Sequence, residues 1–240
     1  MSHYLNFSRQ DRDRHVYRII PIKRLYELFD ARKNVLVNPQ KWEDPFENIM
    51  LRGIFPRIGL FGQCWTRHTA SDAMWRIYSR NSDGVRIRTT SHSLIASLGR
   101  SLRGTRATAF IGGVKYLPQK ELVRFADDSV SNCKLRNPVH QAKTLLVKRL
   151  AFRHEREVRL ILVNAQDLCD RNTFAYTTNP HELVDQIMLD PRLARKDADV
   201  LKERIRHRTG FEGSILRSLL YTLPPGLSRF CYNTTTQSVS

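Results

Sequence analysis

Apolar positions along the chain switch between a two-residue and a three-to-four-residue spacing, and each switch marks an element. Residues 16–20 read as a short strand, after which Pro21 opens a helix to about residue 32 with Ile22, Leu25, Leu28 and Phe29 on one face; Asn34 closes it. Residues 35–37 form a second strand and lead into a loop holding Trp42-Glu43-Asp44-Pro45-Phe46-Glu47. A third strand spans 61–66, and Ser71 caps a helix running to Tyr78. Strand 84–89, helix 91–102 and strand 110–117 follow, and the stretch bordered by Pro118 and Pro138 shows no clear period. Residues 139–150 predict a basic helix with Leu145, Leu146 and Leu150 turned inward. Beyond it come strands at 154–163, 185–189 and 215–223, and a charged helix at 196–208 closed by Gly210. The pattern is α+β: a mixed, mainly antiparallel sheet of about seven or eight strands with flanking helices.

The segment His154-Glu155-Arg156-Glu157-Val158-Arg159-Leu160-Ile161-Leu162-Val163 carries the most information. As a strand it puts Glu155, Glu157 and Arg159 on one face and Val158, Leu160 and Leu162 on the other. Such a face either forms cross-strand ion pairs, with Arg18 as one partner, or presents two carboxylates for chemistry. Two other groups bear on the choice. In the loop at 42–47, Asp44 and Glu47 stand between Trp42 and Phe46, either as caps on a structural plug or as rigid carboxylates for hydroxyl binding and proton transfer. Around the helix at 71–78, Thr66, Ser71, Trp75, Tyr78 and Ser79 form either part of the core or a surface able to stack a flat heterocycle.

Composition adds sign and compartment. The chain carries 40 Lys and Arg, 30 of them Arg, against 23 acidic residues, a net charge of +17 over 240 residues. Guanidinium forks grip phosphate in bidentate fashion, so a nucleic-acid or nucleotide partner follows, although the charge is spread over several clusters. Cys64, Cys133, Cys169 and Cys231 are too far apart for a zinc knuckle or a disulfide framework, which predicts free thiols and no structural metal. No apolar run has the length to cross a bilayer, so the expected setting is cytoplasmic. Residues 1–15 read as a polar lead, 16–231 as a single α+β domain, and the Thr- and Ser-rich 232–240 as a flexible tail.

Taken in order, Val16-Tyr17-Arg18-Ile19, the WEDPFE loop, FGQCWT with SDAMWRIYS, GVRI and FRHEREVRL resemble a bacterial family known as a domain of unknown function. That family carries an Asn-Asp-Pro-Phe-Glu box, a Met-Trp helix and a Glu-x-Glu-Trp-Arg strand. The resemblance spans about residues 16 to 190, with Glu43 in place of the Asn and Val158 in place of the Trp. The layout also looks like that of ADP-ribosyltransferases, in which NAD is split at the nicotinamide ribose. That resemblance implies that Glu157 holds the ribose 2′-hydroxyl, Glu155 activates the acceptor and Arg18 binds phosphate or ribose. It also implies that Thr66, Trp75, Tyr78 and Ser79 seat the nicotinamide, with Asp44 and Glu47 lining the NAD site, and that Glu157 faces the same cleft as Arg18 and Trp75. The role implied is modification of nucleic acid or an associated protein, as in a toxin or phage-defence effector. Competing classes are a non-catalytic RNA- or DNA-binding module and, third, a metal-dependent nuclease using Asp44, Glu47, Glu155 and Glu157. The nuclease ranks last because no Lys adjoins Glu155-x-Glu157 in sequence.

Overall fold

The structure is a computed structural model that describes residues 3–44, 46–47, 59–131, 137–163, 171–223 and 227. Among them are twelve strands: β1 (Tyr4–Leu5), β2 (His15–Pro21), β3 (Lys33–Val37), β4 (Phe61–Thr66), β5 (Gly84–Thr90), β6 (Thr108–Gly113), β7 (Lys115–Leu117), β8 (Val147–Arg149), β9 (Glu157–Val163), β10 (Thr173–Thr177), β11 (Gln186–Leu189) and β12 (Ser214–Arg217). The helices are α1 (Ile22–Ala31), α2 (Asp72–Tyr78), α3 (Ser91–Ser101), α4 (Gln119–Ser131), α5 (Pro138–Thr144), α6 (Pro180–Leu183) and α7 (Arg195–Thr209). The fold is α+β around one large, mostly antiparallel sheet in the order β1-β6-β9-β4-β2-β5-β11-β12; β7 and β8 pair separately.

The sheet forks at β4. One edge of β4 pairs with β9 along its whole length, while the other meets β3 only at Val37 opposite Gly62 and β2 only at Tyr17 opposite Thr66. Because β2 joins β4 only at Thr66 and β3 joins it only at Gly62, this edge of β4 is left unpaired between them, beside Cys64. On β9, Val158, Leu160 and Leu162 enter the main core with Leu25, Trp65, Leu94 and Ile187. The opposite face starts with Glu157 and Arg159 and turns apolar at Ile161 and Val163, which pack with Phe110, Leu145 and Leu146. Both faces of β9 are therefore covered, and its charged end lies inside the protein.

Local chemistry explains most boundaries. Ser71 accepts the Met74 N–H and Thr90 the Ser93 N–H, capping α2 and α3, and Gly210 closes α7 at φ 63°. Several expectations need correction. Arg32, at φ 50°, ends α1, while Asn34 lies buried in β3 and donates to the Tyr176 hydroxyl. Strand 110–117 is two strands, because the chain changes partner at Val114: its N–H goes to the Glu157 carbonyl, whereas the Lys115 N–H goes to Leu146. Helix 139–150 stops at Thr144. The chain turns at Leu145 and Leu146, both buried, and extends into β8, with the Leu146 carbonyl accepting the Lys115 N–H. Strand 215–223 ends at Arg217. The expected lead supplies β1, which pairs in parallel with β6. Cys133, Cys169, Cys231 and the 232–240 tail lie outside the described residues. No helix among the described residues is long and apolar enough to cross a membrane.

Candidate active site

Strand alternation sets Glu157 and Arg159 on one face of β9, with Thr66 and Cys64 of β4 directly beside them. Glu155 reaches the same place by another route. It ends a 3-10 turn, Leu150–Glu155, and Arg156 at φ 45° reverses the chain before β9 begins. Glu155 is therefore not a member of the strand, contrary to the alternation reading. The Thr66 hydroxyl fixes this turn by donating to the Glu155 carbonyl at 2.7 Å and accepting the His68 N–H.

Lys148 of β8 enters the middle of the group. Its Nζ donates to Glu155 Oε2 at 2.5 Å and to Glu157 Oε1 at 2.6 Å, and lies 3.2 Å from Glu47 Oε1. Arg159 completes the set, with Nε 2.6 Å from Glu157 Oε2, Nη2 2.9 Å from Glu47 Oε2 and Nη1 donating to the Leu145 carbonyl. The Trp42 ring covers this guanidinium at 4.4 Å. Glu47 and Glu157 thus each bridge both cations and close a ring of charge, while Glu155 meets only one of the cations, Lys148. All five side chains are buried. Desolvating that many charges is at best neutral for stability against a well-packed apolar alternative, so folding alone does not account for the cluster.

Two cations face three carboxylates, and the pKa values divide accordingly. Burial, a hydrogen bond shared with Glu157 and the Glu157 charge push Glu155 up to about 7 against the pull of Lys148. Glu157 goes the other way: burial would raise it, but Arg159, the bond from Glu155 and Lys148 hold it far below the usual carboxylate range. Burial would lower Lys148, yet Glu157 and Glu47 keep it protonated. The carboxylate of the group that gains and loses a proton near neutral pH is therefore Glu155. The Cys64 thiol, pushed up to about 12 by burial and by Glu157, stays neutral.

The other expected residues separate. Asp44 accepts the Phe46 N–H and pairs with Arg149 at 3.0 Å, which makes it a brace for the loop rather than a member of the cluster. Arg18 is half-buried and pairs with neither glutamate; Lys148 and Arg159 have taken those positions. Burial lowers its pKa, opposed by Cys64 and Tyr78, so it stands at the edge of the group. Trp75 is 1% exposed and packs with Ile19 and Met74, so it belongs to the core and shares no cleft with Glu157. Ser79 is also inside, donating to Asp190 at 2.6 Å and accepting the Gly84 N–H. Tyr78 differs: it is 46% exposed, and its phenol, raised to about 12 by burial of the hydroxyl end, is influenced next by Glu155. Among the proposed aromatic seats, Tyr78 alone presents a free ring.

Lys148 is the residue that sequence reasoning missed. Its absence beside Glu155-x-Glu157 had counted against a nuclease, and that argument fails, since β8 delivers the ammonium to the carboxylates. It fills the position a divalent ion would need, 2.5 to 3.2 Å from three carboxylate oxygens. Next to Glu47 and Lys148 lies a cavity of about 120 Å³ lined mainly by Phe46, Leu122, Phe125 and Val147.

A model of the family described as "Protein of unknown function (DUF2971)" matches residues 74–160. That stretch runs from α2 to the fourth residue of β9 and includes Lys148, Glu155, Glu157 and Arg159. No curated protein matches the sequence. Among solved structures, Thermus sp. 2.9 DarT in complex with NAD+ is similar at 10% identity over 86% of this chain and 96% of its own, with a TM-score of 0.39. The same protein in complex with ADP-ribosylated ssDNA gives 9% identity, 86% and 94% coverage and a TM-score of 0.41. Its complex with carba-NAD+ gives 10%, 86%, 96% and 0.35. Likeness at that level does not establish a common fold.

Proposed function

We propose that this chain is an NAD-using ADP-ribosyltransferase whose reacting carboxylates are Glu157 and Glu155, with a nucleic acid or a nucleic-acid-associated protein as acceptor. The buried Glu47–Glu155–Glu157 group on Lys148 and Arg159 carries this reading. It combines a permanently ionised carboxylate with one that exchanges a proton near neutrality, the pairing that glycosyl transfer requires.

In this reading the N-glycosidic bond between the ribose anomeric carbon and nicotinamide breaks, its electron pair leaving with neutral nicotinamide. The oxocarbenium-like sugar that develops is stabilised by Glu157, which accepts from the ribose 2′-hydroxyl. Glu155 in its ionised form takes the proton of the acceptor as the new bond to the anomeric carbon forms. Lys148 holds the two carboxylates together, and Tyr78 offers the exposed ring for the nicotinamide. A binding module without chemistry has no use for five buried charges; it would display its cations on the surface.

Incubation of the purified protein with labelled NAD, single-stranded DNA, RNA and cell extract tests the reading through nicotinamide release and transfer of label. Glu157→Gln should lower the rate by about 10² to 10⁴-fold, and the wild-type rate should rise with pH and level above about 7, an inflection that Glu155→Gln removes. If no nicotinamide appears with any acceptor, or if Glu157→Gln is as active as wild type, the reading fails.

A further inference from the structure

Outside the carboxylate ring, on the far side of Glu157, a groove of about 330 Å³ is lined by Arg67, Lys115, Tyr116, Arg153, Arg156 and Glu157. Three separate pieces of chain contribute its cations. Arg67 follows directly on β4, Lys115 opens β7, and Arg153 and Arg156 come from the turn that precedes β9. A backbone bond from the Arg67 N–H to the Arg156 carbonyl, 3.1 Å, ties the first of these pieces to the last.

Most of the charge in this groove is not spent on folding. Arg67 pairs with Asp11 at 3.4 Å and lies over the Phe7 ring at 4.9 Å, but its Nη2 is buried without a hydrogen-bond partner. Among the described residues no ion pair reaches Lys115, Arg153 or Arg156. Glu157, the carboxylate of the groove, is already neutralised by Lys148 and Arg159. The Tyr116 hydroxyl accepts the Glu157 N–H at 2.7 Å, which leaves its own proton available to a ligand. Gly113 lies on the floor, where a Cβ would meet Phe7 Cε1 at 3.4 Å, the Asn6 carbonyl at 3.5 Å and Arg67 Nη2 at 3.7 Å, all ordinary contacts, so a larger side chain can be built there to fill the groove. Four cations of one sign around a concavity focus field and attract an anion with several oxygens.

We propose that this groove is a phosphate subsite, holding two neighbouring phosphate groups through Arg67, Lys115, Arg153 and Arg156, with the Tyr116 hydroxyl as a further donor. It takes over the phosphate role that the sequence assigned to Arg18. Two sources share this chemistry: the diphosphate of a dinucleotide and the backbone of a nucleic-acid strand. The assignment deepens the transferase reading by placing phosphate beside Glu157, yet as an anion site it can be measured without any turnover.

The test uses inorganic pyrophosphate, followed by calorimetry, and a fluorescent oligothymidylate, followed by anisotropy between about 50 and 200 mM salt. With two phosphates engaged, the logarithm of strand affinity should fall against the logarithm of salt with a slope of about −1.4, at roughly 0.7 per phosphate. The double variant Lys115→Glu/Arg153→Glu changes two exposed side chains and should reduce that slope by at least about 0.7 and weaken binding at least tenfold. Gly113→Val, which alters no charge, should weaken both probes by filling the floor. Arg204→Glu/Arg206→Glu on α7 serves as the charge control. Loss of both probes in the groove variants supports a shared site, and loss of only pyrophosphate or only the strand supports it with that source identified. Binding of both probes unchanged in the groove variants, or an equal loss in the α7 control, overturns it. Probe binding without nicotinamide release would sink the transferase reading and leave the groove standing; the reverse would sink the groove alone.

Discussion

Replacing Lys148 with Met removes the ammonium from three carboxylates while keeping most of the side-chain volume. Arg159 can still serve Glu47 and Glu157, but Glu155 is left with no cation. Breaking a buried ion pair from one side typically destabilises by about 3 to 5 kcal/mol, and that range is expected at pH 8. The loss must depend on pH, and the sign follows from Glu155. Its folded-state pKa already lies above the unfolded value, about 7 against 4.5, so folding binds a proton and stability falls as pH rises through that window. At about 1.4 kcal/mol per pH unit this amounts to roughly 3 kcal/mol in the native chain. Without Lys148 the carboxylate pKa values rise further and the window extends upward. At pH 5 most of the extra penalty is absent, and the variant should lie within about 2 kcal/mol of wild type. Urea unfolding at pH 5, 6, 7 and 8 reads this directly as a shift in midpoint with an unchanged m-value. Lys148→Met/Glu155→Gln, which removes one charge of each sign, should recover at least about 1 kcal/mol at pH 8. A destabilisation independent of pH, or a double variant no better than Lys148→Met, would refute the placement of the ammonium inside the ring.

Two further outcomes separate scaffold from site. Trp75→Ala should cost about 3 to 5 kcal/mol of stability because it empties a buried aromatic site, whereas Tyr78→Ala should cost under about 1 kcal/mol and instead weaken dinucleotide binding; equal stability losses would contradict the burial difference. Gly62→Ala places a Cβ 2.7 Å from Trp42 Cζ2 and should destabilise by about 1 to 3 kcal/mol by pushing the indole off Arg159; because the clash is with Trp42, adding Trp42→Ala should produce less than additive damage, and strict additivity would argue against the contact.

The sheet and its helices were legible where local signals agreed. Strand 61–66 matches because a short apolar run of strand formers is buried there, and the helix from Ser71 to Tyr78 because a Ser cap precedes a helical spacing of Met74 and Trp75. The site was legible in part for the same reason: Glu157 and Arg159 share a face because β9 alternates from its first residue. Glu155 was brought to the right group for the wrong reason, since its position depends on a left-handed residue at Arg156 that no periodicity announces. Trp75 and Tyr78, three residues apart on one short helix, diverge because α2 presses only Met74 and Trp75 against Ile19, a packing choice made by β2. Lys148 was hidden because the helix expected to carry it ends at Thr144, four residues earlier, and the one local signal for that exit is the β-branched Val147.

The imbalance of the cluster argues for use rather than support. A network serving only to join β4, β8 and β9 would match its charges, since an unmatched buried carboxylate opposes folding. Glu47, Glu157, Lys148 and Arg159 already meet that condition, closing a ring in which each carboxylate bridges both cations. Glu155 is the carboxylate in excess, and it is the one held outside the strand, on a turn pinned by Thr66 where the sheet forks. Its proton is the part of the network free to leave at neutral pH. The closed ring keeps Glu157 ionised while Glu155 exchanges, so the two carboxylates, though both bound to one ammonium, are kept in different protonation states by the difference between two cations and one.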